Sequence, residues 1–195
     1  LTHATRDLQQ ANEPRAAAGL LNDQAAVWVR IGDHPRAAHL LHQSRTLFSA
    51  LANPSPTDRA ELAETLLLIS RLPLHVPARA GKTSEALRQA IDHANDAGVI
   101  YRDLSHDREA ARADETRGRL LAHLGETALA AELLQQTYQD QLSHGDGVGL
   151  ARTADALSEL LASAGQPDRA LQLLATSIEL NQRTGSPRGL AYNRA

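Results

Sequence analysis

The chain repeats itself at a fixed distance. GDGVGLARTAD at 145–155 and GSPRGLAYNRA at 185–195 carry a Gly and then Gly-Leu-Ala at the same spacing, forty residues apart. Sliding 111–155 over 151–195 extends the match. Arg112 falls on Arg152, Leu120-Leu121-Ala122 on Leu160-Leu161-Ala162, Gly125 on Gly165, Ala130 on Ala170, and Leu133-Leu134 on Leu173-Leu174. Most matched positions are small or apolar and stand at helical spacing, as buried contacts should, while the charged positions between them drift. A third copy lies near the N-terminus: GDHPRAAHLL (32–41) aligns with GQPDRALQLL (165–174), and NEPRAAA (12–18) with GSPRGLA (185–191). The half-period is about 20 residues, with turns near 12, 32, 52, 125, 145, 165 and 185. Each half-period predicts one helix and a short turn.

Turn chemistry agrees. Gly32, Gly125, Gly165 and Gly185 stand where a helix must stop, because glycine takes the left-handed C-cap conformation without penalty. Asp33, Asp146 and Ser186 can accept the orphan N–H groups of the next helix. Pro14, Pro35, Pro56, Pro167 and Pro187 fall in first turns, where a missing N–H costs little. Leu157, Leu160, Leu161 and Ala164 form one helical stripe, and Ala170, Leu173, Leu174 and Ile178 another. The middle is less regular. Helices are expected at about 57–72 and 83–97, and the connections 73–82 and 98–107 read as insertions that break the register. The units are therefore placed at 13–51, 57–97, 108–144 and 146–184, with a partial unit at 186–195, all in one array. Because the chain opens on Leu1 within an apparent helix and ends inside a repeat, it reads as a fragment of something longer. The unfinished last helix is expected to seek a neighbour, either further chain or a second copy.

A helix–turn–helix unit with Gly at its turn and Ala five residues later resembles the tetratricopeptide repeat (TPR). The Gly-to-Ala step occurs as Gly32/Ala37, Gly81/Ala86, Gly125/Ala130 and Gly165/Ala170, so the resemblance covers nearly the whole chain. The usual first-helix aromatic appears only as Trp28, with Leu121 and Leu161 in its place elsewhere. The longer unit looks more like the repeats of kinesin light chains and of large bacterial signalling regulators. The resemblance implies an all-α, right-handed superhelix of about four hairpins, whose inner groove is lined by first helices and binds a peptide or small ligand. Elementary packing leads toward the same architecture, since one hairpin cannot bury its apolar face alone and neighbours must stack.

Composition narrows the function. Net charge is −3 and aromatics are 3%, which argues against a nucleic-acid face in this segment. There is no cysteine, so thiolate metal sites and disulfides are excluded and a cytoplasmic location is favoured. No apolar run approaches the roughly 18 residues that span a bilayer, and no membrane partner is expected. Nineteen Arg against one Lys hints at a GC-rich bacterial genome.

Four local features each admit a chemical and a plainer reading. VPARAGKTSEALRQAI (76–91) ends like a phosphate-binding loop at Gly81-Lys82-Thr83, but Val76 occupies the first Gly position and the repeat explains Gly81 as a turn. Thr83 or Ser84 then caps the following helix. His39 and His42 share a helix face, yet no third ligand is signalled nearby, so no metal or cofactor is expected. Asp103, His106, Asp107 and Glu109 could suggest acid–base chemistry; Ser105 or Asp107 as a cap, with acids at the helix start, is the simpler reading. Trp28 is expected to pack between hairpins.

The expected function is therefore a non-enzymatic binding scaffold, or the regulatory segment of a larger bacterial protein, that captures a protein or peptide in its groove. The alternative is a small-molecule-sensing repeat domain of a regulator. The first-helix positions assigned to the groove are Asn22, Ala26 and Arg30; Arg59, Leu66 and Ser70; Arg112, Glu115, Arg119 and His123; and Arg152, Asp155 and Glu159. Arg112, Arg119 and Arg152 are the expected anchors for acidic groups, since guanidinium offers a bidentate fork. Pairs such as Glu115–Arg119 would partly neutralise them.

Overall fold

The computed structural model describes residues 13–75 and 83–185. Among these, eight helices and no strand occur: α1 (Pro14–Ile31), α2 (His34–Ser49), α3 (Pro56–His75), α4 (Ser84–Asp103), α5 (Asp107–Leu124), α6 (Thr127–Ser143), α7 (Gly147–Ser163) and α8 (Pro167–Thr184). The contacts divide the chain into two compact units between His106 and Asp107. In the first, α1 pairs with α2 and α3 with α4, and α2 packs on α3; in the second, α5 pairs with α6 and α7 with α8, and α6 packs on α7.

One closure recurs at the turns. Gly32, Gly125, Gly145 and Gly165 have φ of 88°, 93°, 66° and 73°. In each case the next N–H reaches back five residues: Asp33 to the Trp28 carbonyl at 3.0 Å, Glu126 to Leu121 at 3.0 Å, Asp146 to Gln141 at 3.0 Å and Gln166 to Leu161 at 2.9 Å. This pattern satisfies carbonyls that a helix end leaves orphaned. Asp33 and Asp146 then cap the next helix, accepting from Arg36 N–H at 3.1 Å and Gly149 N–H at 3.0 Å. Thr83 does the same for Ala86 at 3.1 Å.

The turn between α4 and α5 has the same closure without a glycine. His106 N–H bonds the Tyr101 carbonyl at 2.9 Å, and Ser105 holds φ at 57°. Ser105 is thus not a cap for α5; it is the residue that ends α4. A side chain in this conformation costs energy that glycine avoids. Ser105→Gly is expected to stabilise the chain by ~0.5–1 kcal/mol. The check is a urea midpoint that rises at constant m; a lower midpoint would show the hydroxyl contributing more than its backbone costs.

Two helices run further than their sequence suggests. α4 extends to Asp103 through the stretch expected as an insertion. Gly98 reads as a helix stop, but it is buried with Ala94 and Ala97, a small surface that lets another element approach. Tyr101 then sits 3% exposed with its hydroxyl donating to the Glu64 carboxylate at 3.1 Å. α3 likewise continues through Pro73 to His75. Proline there lacks the N–H that would bond the Ile69 carbonyl, so one ladder bond is lost near the helix end. Residues 72–75, which a phosphate loop would require as strand, are helical. Gly81 and Lys82 lie outside the described residues, as do Ser186, Pro187, Gly189-Leu190-Ala191 and the whole partial unit.

The core is built from small and branched apolar side chains. In the first unit Ala25, Ala37, Leu41 and Ile69 form a buried cluster, with Trp28 half-buried against it and Arg36 lying 4.6 Å over its ring. In the second unit Leu134 meets Ala156 and Leu157. Burying each Leu contributes roughly 1.5–3 kcal/mol. Leu150 and Ala151 are buried, as the repeat predicts. A capping box also joins the two hairpins of the first unit. Ser55 N–H donates to Asp58 at 2.8 Å, Asp58 N–H donates to the Ser55 hydroxyl at 3.2 Å, and Arg15 of α1 donates to the same carboxylate at 2.9 Å. The Ser55 bonds, then Arg15, hold the Asp58 carboxyl below its ordinary pKa.

Candidate functional site

The groove positions divide by unit. In the first unit the expected residues do not assemble. Asn22 is buried and its amide donates to the Thr65 hydroxyl at 2.8 Å, locking α1 to α3. Ser44 of α2 joins that network, its hydroxyl 3.4 Å from that of Thr65 and donating to the Ala18 carbonyl at 3.0 Å. Arg59 turns to the far end of its own hairpin and pairs with Asp103 at 2.8 Å. Ser70 is fully buried, donating to the Leu67 carbonyl at 2.7 Å, and Leu66 lines a cavity shared with α2 and α4. Ala26 and Arg30 are exposed on α1. Asn22, Leu66 and Ser70 are thus interior contacts, because a first helix must present one flank to its partner and the other to the next hairpin.

In the second unit the expected residues converge. Glu115 of α5 is 3% exposed, and two arginines hold it. Arg152 of α7 donates from Nε to its Oε2 at 3.2 Å, and Arg119 lies 3.6 Å from its Oε1 one turn along α5. Arg119 also reaches Glu159 of α7 at 3.8 Å. Arg112 is half-buried on the α5 face and His123 is exposed near its end. Two guanidiniums therefore share one buried carboxylate. A further acidic neighbour of Arg119, Glu159, is largely exposed and held at a distance where a surface pair contributes little.

Asp155 lies on the same helix as Arg152 and Glu159. It is 6% exposed, and its Oδ1 is enclosed without a hydrogen-bond partner among the described residues. Burial raises its pKa above 3.8; the Ser177 hydroxyl and Arg119 oppose this, while Glu159 and Glu115 add to it. A raised native pKa means the folded state takes up its proton before the unfolded state does. Asp155 therefore costs stability at neutral pH, and that cost shrinks as pH falls through the raised value towards 3.8. The stability of the native chain minus that of Asp155→Asn should rise between pH 7 and pH 4.5, by urea unfolding at each pH. A constant difference would contradict this burial.

His39 and His42 are exposed on α2, and no group of three metal-ligating side chains occurs among the described residues. Asp103 is paired with Arg59, and His106 stacks on Tyr101 with ring centroids 6.2 Å apart. No described helix is long and apolar enough to cross a membrane. The Asn22–Thr65–Ser44 network and the Ser55–Asp58 box escape sequence reasoning. The box is signalled by the S-x-x-D pattern at 55–58, whereas nothing in the sequence marks the network as buried.

No protein-family model and no curated protein matches this sequence. Solved structures do. Aspartyl phosphate phosphatase F of Bacillus subtilis superposes on 98% of this chain with a TM-score of 0.76 at 11% identity, and the chain spans 47% of that protein's length. A thermophilic TPR protein of Thermus thermophilus matches 97% of this chain and 96% of its own, with a TM-score of 0.53 at 21% identity. Kinesin light chain TPR-like repeats of Podosopora anserina match 94% and 93%, with a TM-score of 0.58 at 15% identity. At these identities the likeness concerns the fold. The chain is an all-α protein with the tetratricopeptide-repeat type of fold.

Proposed function

We propose that this chain is a non-enzymatic binding segment of a larger cytoplasmic bacterial protein, and that α5 and α7 capture a protein or peptide bearing an acidic group. The observation that carries the reading is the pairing of Arg119 and Arg152 on the single buried Glu115. That arrangement holds two guanidiniums in place on one buried carboxylate, with the exposed Glu159 loosely held by Arg119. An incoming carboxylate exchanges with Glu159 on Arg119, trading a loose exposed contact for a shorter, charge-assisted one. Arg112 and His123 extend the same helix towards either end of the ligand, and Asp155 lines the α7 side. The superposition on solved TPR and TPR-like repeat structures supports a scaffold role of this kind. The self-association expected of residues 186–195 falls outside the described residues.

The test is an array of acidic peptides probed with the whole chain at low and moderate salt. Arg119→Glu should weaken capture by about tenfold or more, and Glu159→Gln should strengthen it. Circular dichroism confirms that both variants fold. Unchanged capture by Arg119→Glu would overturn the assignment. The second reading, small-molecule sensing, is favoured by the cavity in the first unit.

A further inference from the structure

The first unit contains a cavity of about 770 Å³ that uses none of the arginines discussed above. It lies between the two second helices, α2 and α4, and is floored by α3. Leu62 and Leu66 form the floor, and Val99 and Ile100 of α4 form one wall. Val99 is 48% exposed, a large apolar side chain turned to solvent at the mouth. Two opposite charges stand on the lining. Arg45 comes from α2 and Asp96 from α4, and among the described residues they do not pair with each other or with another charged group. Arg45 instead donates from Nη1 to His93 Nε2 at 3.5 Å. Asp96 follows His93 on α4 by three residues, about 4.5 Å along the axis.

His93 does not compete with Arg45 for an anion. Burial, then Arg45, then His42 lower its pKa, against the opposing carboxylates of Asp96 and Asp92. At neutral pH the lining therefore offers one fixed cation, one fixed anion and an apolar floor. The volume falls within the range of roughly 300–1,000 Å³ usual for small-ligand sites, and a few placed polar groups over an apolar lining is their usual composition.

The geometry points to a binding site for an apolar zwitterion, an amino acid or short peptide with both termini free, whose carboxylate meets Arg45, whose ammonium meets Asp96 and whose side chains cover Leu62, Leu66 and Val99. A single amino acid leaves much of the cavity open, whereas a tripeptide fills more of it. This inference is independent of the acidic-partner reading, because it uses a different unit and different residues.

Four probes separate the recognition elements: leucine, tri-leucine, leucinamide (no carboxylate) and isocaproate (no ammonium). Each is titrated into the whole chain and followed by amide chemical shifts. Leucine should give saturable shifts at α2 and α4, and tighter binding of tri-leucine would identify a peptide as the better fit to the cavity. Leucinamide and isocaproate should bind about tenfold more weakly than leucine. Arg45→Ala should abolish the preference over leucinamide, and Asp96→Asn the preference over isocaproate. The site assignment fails if leucine does not saturate, if all four probes bind equally, or if neither variant alters a preference. Loss of leucine binding in Arg119→Glu would also overturn it, because that residue belongs to the other unit.

Discussion

Gly118→Val is expected to destabilise the second unit by about 3 kcal/mol. Gly118 lies in the middle of α5, where helix propensity alone would favour almost any other residue. A Cβ added there would stand 2.6 Å from Leu134 Cγ and 2.7 Å from its Cδ2. Leu134 cannot swing aside, since it is fully buried against Ala156 and Leu157. The clash must then be absorbed by separating α5 from α6, which loosens the whole hairpin. Leu134→Ala alone should cost about 2–5 kcal/mol through the cavity it leaves. The double variant should cost less than the sum, because the valine occupies part of the space the leucine vacates. Chemical unfolding of the four proteins gives the coupling directly. Additive costs would mean that the two positions do not share the packing described.

Glu115→Ala is expected to cost about 2–3 kcal/mol, more than loss of either arginine that pairs with it. The asymmetry follows from burial. Glu115 is nearly inaccessible, while Arg119 and Arg152 keep 27% and 34% of their side chains exposed. Removing the carboxylate takes from both arginines the buried acid they share, and the partly exposed Glu159 is a weaker substitute. Removing one arginine leaves Glu115 still paired with the other. Arg152→Met should therefore be clearly milder than Glu115→Ala in thermal or urea unfolding. High salt should narrow the gap by screening the exposed arginines. An Arg152→Met variant as unstable as Glu115→Ala would show that the guanidinium stem, rather than the charge, supports α7.

The turns are the most legible part of this chain. Glycine followed by a capping or proline-bearing tripeptide has few structural uses, and Gly32, Gly125 and Gly165 all take the left-handed conformation their positions require. Ala37, Ala130 and Ala170 are buried for a similar reason, since only a small residue lets two helices approach there. Sequence and structure part where one residue type serves two purposes. Gly98 can end a helix or let helices pack, and Pro73 can block a helix or finish one. Ser105 escapes notice as a turn residue because its type suggests a cap and only its backbone angle reveals the strain. Polar first-helix positions are the least legible. Asn22 and Arg59 match groove positions by register, yet one is a buried lock and the other pairs within its hairpin. Register specifies a helix face only to within one residue, and one residue turns a side chain by about 100°. In the second unit the repeat copies Arg112 onto Arg152, and there the register does collect charges on adjoining first helices.

The shared closure at five turns bears on how the chain reaches its fold. Each closing bond spans five residues, and at Gly32, Gly125 and Gly165 the helix that follows is the hairpin partner of the one just ended. Little loop entropy is spent before apolar contacts form, so folding belongs in the microsecond-to-millisecond range of helical proteins with local contacts. In a stack of repeats folding can start at more than one hairpin. A substitution such as Gly118→Val should then slow formation of its own hairpin while the first unit folds at its usual speed, so the slow refolding phase of the variant reports on the second unit alone.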